Sequence, residues 1–154
     1  MIGSVPQTTM SRIVSTSGRI LLGSIFIVGG EGTYRNPAPR AEIAEGLLEP
    51  IVRIVPMVTS VEQIVRYDAL AKVAGGALLM SGRFTRVAAT GLVMSLVPTT
   101  LAAHDYWTLS DPRARAAQRT QFFKNLSNVV GLLLVAAVPT TRRTNACQPA
   151  TFPS

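Results

Sequence analysis

The residues best suited to chemistry cluster in one stretch of the chain. His104-Asp-Tyr-Trp107 holds the only histidine, and Phe122-Phe-Lys-Asn125 follows it. An imidazole changes charge near neutrality, so His104 could accept or give a proton. Lys124 stands at the edge of an apolar segment, where a cation is expected to face the bundle interior or a wet cavity and to have a partner. Glu31, Asp68 and His104 are the available partners. Gln121, Lys124 and Asn128 fall on one helical stripe, with Asn125 beside it. Glu31, Asp68, Lys72, His104, Trp107, Lys124, Asn125 and Asn128 therefore make a candidate binding pocket, with His104 and Lys124 as its catalytic candidates. Lys124 would hold an anionic or carbonyl oxygen and His104 would move a proton. A quinone headgroup or a small anion suits such a pocket. The same residues also suit a plainer role, pairing helix ends and holding the bundle together.

Other chemistries lack the residues. One histidine gives no bis-histidine haem pair and no zinc set, so no metal site is expected. The single cysteine, Cys147, lies in a polar tail and rules out an intrachain disulfide. Gly29-Gly30-Glu31-Gly32 has neither the preceding strand nor the spacing of a dinucleotide loop. No hydroxyl stands out as a nucleophile beside His104, and Asp111 reads as a helix cap. These absences point away from an autonomous enzyme and toward a chain that lends a pocket or a surface to a partner.

The elements that must position these residues are helices in a membrane. Of the 154 residues 47% are hydrophobic and only 15% charged, and the mean hydropathy is +0.32. A soluble domain has about a quarter charged residues. The net charge is +7, yet the basic residues flank apolar runs rather than interleave with aromatics. That pattern marks membrane-edge anchoring and excludes nucleic acid as a partner. The chain divides into a disordered N-terminal tail over 1–11, a four-helix membrane bundle over 12–138 and a polar C-terminal tail over 139–154. The predicted spans are 12–32, 61–82, 86–103 and 112–138.

Local signals set those boundaries. Ser60 with Gln63 is a capping box, and Gly82 is a helix stop. Glu62 with Arg66, and Asp68 with Lys72, have ion-pair spacing. Arg83 and Arg86 split a long apolar tract into two antiparallel helices, since guanidinium is costly in hydrocarbon. Pro98 predicts a kink, with Thr99 and Thr100 to satisfy the freed carbonyl of Met94. Asp111-Pro112 is a cap followed by proline at the first helical position. Residues 40–49 place Ile43, Leu47 and Leu48 opposite most of their charges, which predicts a short interfacial amphipathic helix ended by Pro50.

The fold class that follows is all-α: a four-transmembrane-helix antiparallel bundle with a short interfacial amphipathic helix. Antiparallel threading brings Glu31, Asp68, Lys72, His104, Lys124 and Asn125 to one membrane level. The glycine faces of the first two spans permit a homo-oligomer and serve intrachain packing equally well.

Ser95-Leu-Val-Pro-Thr-Thr-Leu-Ala-Ala-His-Asp-Tyr-Trp107, Asp111-Pro-Arg-Ala-Arg-Ala-Ala-Gln-Arg119, Phe122-Phe-Lys-Asn-Leu126 and Gly131-Leu-Leu-Leu134 resemble the DoxX family, in particular its actinobacterial branch. Gly75-Gly76-Ala-Leu-Leu79 with Gly82-Arg-Phe-Thr-Arg86 is similar to the end of that family's second helix. The resemblance spans about residues 12–138. It implies a multi-pass protein of the bacterial cell membrane, and a subunit or accessory of a quinone-linked or oxidative-stress oxidoreductase complex. Many members carry an acidic residue where this chain has Lys72. The alternative is a non-enzymatic scaffold, or a lipid- or small-molecule-binding protein, that docks a protein partner through residues 40–49.

Overall fold

A computed structural model describes residues 7–103 and 106–137. Five helices and no strands are present among them: α1 (Gln7–Arg35), α2 (Ala38–Ile54), α3 (Val61–Ser81), α4 (Thr85–Ala103) and α5 (Pro112–Ala137). α1, α3, α4 and α5 close a ring of four, in which α1 packs most extensively on α3 and α5 on α4, while α2 lies against α3 and α4. The bundle is thus as expected. Of the four expected spans, one helix among the described residues, over Thr9–Arg35, is long and apolar enough by length and composition to cross a membrane. Two other members of the ring carry charged turns that lower their hydropathy. α3 spends its first turns on Glu62, Arg66, Asp68 and Lys72, and α5 spends its first on Arg113, Arg115 and Arg119.

Small residues decide how the first pair meets. A Cβ on Gly76 would lie 2.7 Å from the Gly23 carbonyl oxygen, and one on Gly30 would lie 2.7 Å from that of Ala69. The backbones of α1 and α3 are therefore in direct contact at two levels, running antiparallel. Gly29 and Gly32 have nothing within 4 Å of a built Cβ, so only part of the expected glycine face is used. On the other side of α3, Gly75 admits Leu92 of α4. The core cluster of Phe26, Leu79, Ala88, Ala89, Leu92, Leu96 and Leu132 fills the half of the bundle nearer the α3–α4 connector.

The ends follow their caps. Ser60 accepts a hydrogen bond from the Gln63 amide at 3.3 Å. The Gln63 side chain reaches one residue further back than a capping box requires, accepting from the amide and hydroxyl of Thr59. Gly82 closes α3 at φ +71 and ψ 8, the left-handed cap that glycine favours. Phe84, at φ 52, also sits in the left-handed region, and its carbonyl accepts the first bond of α4 from Ala88. Asp111 accepts from the amides of Arg113 and Ala114 at 3.3 and 2.9 Å, as a cap before Pro112 should.

Several boundaries differ from expectation. α1 begins at Gln7, so residues 7–11 are its first turns and not a tail. α2 runs through Pro50 to Ile54. The carbonyl a proline ring disturbs is four residues back, here that of the side-chain-free Gly46, and the Arg53–Glu49 ion pair at 2.6 Å bridges the turn. In α4, Thr99 bonds the carbonyls of Ser95 and Leu96 and Thr100 that of Leu96, rather than that of Met94. Arg66 leaves Glu62 and lies 5.9 Å from the ring centre of Tyr34, a cation–π contact that ties α3 to the end of α1.

Candidate functional site

The polar interior of the bundle is built by two helices. Asp68 and Lys72 stand one turn apart on α3, and the ammonium donates to Asp68 Oδ2 at 2.6 Å. Ser95 reaches across from α4 and donates its hydroxyl to Asp68 Oδ1. Both carboxylate oxygens are thereby occupied. The Lys72 and Asp68 side chains are only 14% and 27% exposed, so this pair is far better shielded than the other ion pairs of the chain. An unpaired charge at that depth would be costly, and the pairing is what permits it. Lys72 carries three N–H donors and uses one on Asp68, which leaves two for a ligand or solvent.

The remaining expected pocket residues divide. Glu31 does not join the cluster: it is exposed and pairs with Arg35 on its own helix at 2.7 Å. Gly30 and Thr33 take the buried face of α1, and Glu31 falls to the side of it. Lys124 is exposed, not turned inward. The inward face of α5 runs through Phe122, Asn125, Val129, Leu132 and Ala136, and Lys124 lies off that line. Asn125 and Asn128 are half-buried on the inner side. His104 lies outside the described residues.

Trp107 is exposed but held in place. Its ring meets Tyr106 at 5.2 Å and Phe122 at 6.1 Å, and Tyr106 meets Phe122 at 5.6 Å, all edge to face. Phe122 thus clasps the turn after α4 against α5, which forms the expected hairpin. The basic start of α5 is anchored too, with Arg115 Nε donating to the Leu109 carbonyl at 2.8 Å.

Two openings border α4. One, of about 460 Å³, is lined by Ile43, Leu47, Pro98 and Leu101; a smaller one is lined by Val97, Thr100, Leu101, Phe122, Leu126 and Val129. Both are apolar, and neither includes Asp68 or Lys72. Ser95 is the site residue that sequence reasoning missed. A lone serine inside the apolar run of α4, with Thr99 one turn on, was its signal.

Comparison with known proteins follows the same helices. The family model described as DoxX matches residues 14–105, which takes in most of α1 and all of α2, α3 and α4. The match stops before α5, so the Phe122-Phe-Lys-Asn125 motif lies beyond it. No curated protein matches the chain. No solved structure matches it either.

Proposed function

The chain belongs to the DoxX family, and on that premise we propose a multi-pass subunit or accessory of an oxidoreductase complex in the bacterial cell membrane, with Asp68, Lys72 and Ser95 as its polar site. DoxX proteins are membrane proteins. The observation that carries the membrane reading is where the large apolar side chains point. Leu21 on α1, Met94 on α4 and Leu134 on α5 are 68%, 72% and 63% exposed, and each helix of the ring shows several such residues. Soluble monomers rarely expose contiguous apolar surface on this scale. A bilayer asks for it, with small residues turned inward. In this reading α1, α3, α4 and α5 span and α2 lies at the interface.

A quinone headgroup suits the site. Its carbonyl oxygens are acceptors, and the free N–H donors of Lys72 are matched to them, with Asp68 fixing the ammonium. His104, the next residue after α4 in sequence, is the candidate for proton exchange. Electron transfer falls to a protein partner, since the chain offers one histidine and one cysteine.

A second reading, a scaffold without ligand chemistry, is favoured by one observation: Asp68, Lys72 and Ser95 satisfy one another while the openings beside α4 are apolar. There α2 docks the partner. Binding of a short-chain quinone to the purified full chain, followed by Trp107 fluorescence, separates the two. The site reading expects binding, about tenfold weaker in Lys72→Met and unchanged in Lys124→Met, for one lost charge-assisted bond. No binding, or equal binding by all three proteins, removes it. The scaffold reading expects a co-purifying oxidoreductase to be lost in Ile43→Asp/Leu47→Asp and kept in Lys72→Met.

A further inference from the structure

We propose that the end of the bundle around Arg19 is a binding site for the phosphate of an anionic phospholipid. The inference rests on the membrane reading above and concerns the end opposite Asp68.

Charge is divided unequally along the helices. The helix directions put the first half of α1, the α3–α4 connector and the end of α5 together. Arg12, Arg19, Arg83 and Arg86 are there, with no carboxylate from the described residues, because the described acids run from Glu31 to Asp68 and recur at Asp111. These arginines have no acidic partners to neutralise them, unlike Arg35, Arg53 and Lys72.

Arg19 is the centre of this end. Its Nε is buried and makes no hydrogen bond, while its Nη2 donates to Thr16 Oγ1 at 3.3 Å. A buried N–H of a charged group without an acceptor is costly, so the site calls for an oxygen. The guanidinium rests on the α3 cap, with Nη2 and Cζ 3.6 and 3.8 Å from where a Cβ of Gly82 would be. Gly82 thus supplies both the left-handed turn and the room for the guanidinium. Arg83 follows directly and is exposed, and Arg86 is exposed in the first turn of α4. Arg12 lies seven residues before Arg19, two turns along the same face of α1. A guanidinium edge takes two phosphate oxygens at once, and exposed arginines around it add attraction to an anionic leaflet.

The apolar surroundings select a lipid over a free anion. Ile13, Val14, Ile20 and Leu21 on α1 and Val87 on α4 are exposed beside these arginines, and Phe84 in the connector is 74% exposed in a backbone conformation that phenylalanine rarely takes. A cation bordered by outward apolar chains matches a phosphate with acyl chains beneath it.

The test uses the full chain purified in detergent. Native mass spectrometry would count retained phosphatidylglycerol against phosphatidylcholine offered at equal concentration. The wild type is expected to prefer phosphatidylglycerol about tenfold. Arg19→Lys keeps the charge and loses the forked edge, so its preference falls to a few-fold; Arg19→Gln abolishes it. Unchanged circular dichroism guards against misfolding, and Arg113→Gln at the opposite end keeps the wild-type preference. Equal retention of the two lipids by wild type, an unaltered preference in Arg19→Gln, or displacement by inorganic phosphate at millimolar concentration overturns the proposal. Carbonate extraction of the chain from membranes would instead overturn the membrane reading beneath it.

Discussion

Gly76→Ala is expected to loosen the bundle although it replaces a poor helix former with the best one. The added Cβ would stand 2.7 Å from the Gly23 carbonyl oxygen, 3.0 Å from Ile27 Cγ1 and 3.3 Å from the Ile27 nitrogen. Two of the three neighbours are backbone atoms, which no rotamer change can move. To reach ordinary contact α1 must retreat by roughly 0.7 Å, and gaps of that size forfeit about a quarter to a half of the dispersion energy of the atoms they separate. Overpacking of this kind costs about 1–3 kcal/mol, against a helix-propensity gain of about 1 kcal/mol. Gly29→Ala isolates the gain, because nothing lies within 4 Å of its built Cβ. Reversible unfolding of the two variants in mixed micelles should therefore place Gly76→Ala about 1–3 kcal/mol below Gly29→Ala, with Gly29→Ala at or slightly above wild type. Equal stability of the two, or a more stable Gly76→Ala, would refute the close backbone contact.

Three further outcomes follow from the same geometry. Lys72→Met strands the Asp68 carboxylate beside Ser95 and should destabilise by about 1–3 kcal/mol, less than for a fully buried pair because Asp68 is 27% exposed; adding Asp68→Asn should recover most of the loss in the same unfolding assay. Phe84→Gly removes a side chain held at φ 52 and should raise stability by about 1 kcal/mol, read as a higher melting temperature. Phe122→Ala takes away the ring that Tyr106 and Trp107 pack on, and should shift Trp107 emission to the red with faster quenching by acrylamide.

Most of what could be read from sequence depends on local spacing, although Arg66 leaves Glu62, four residues away, for Tyr34. The Ser60 cap, the Gly82 stop, the Asp111 cap and the Asp68–Lys72 pair each involve residues within four of one another, and each formed. The misjudged residues depend on helix rotation. Lys124 sits two residues past Phe122, and that offset alone turns it away from the interior. Ser95 finds Asp68 because Gly75 lets α4 approach α3, a contact 27 positions apart that no stripe on one helix announces. α2 continues one turn past Pro50, which the sequence alone marks as its end.

The two ends of the bundle are built for different work. Toward Gly82 the interior is close-packed, with Leu79, Ala89 and Leu132 fully enclosed and backbone against backbone at Gly23 and Gly76. Toward the start of α3 the interior instead holds Asp68, Lys72, Ser95, Thr99 and Thr100, and the openings beside α4 begin there. Dense packing resists displacement, so the first end supplies a fixed frame. Sites that admit ligands are drawn from the less tightly packed parts of a structure. With the paired charges at the open end and the unpaired arginines at the close-packed one, the proposed ligand and lipid sites would occupy separate surfaces of the chain.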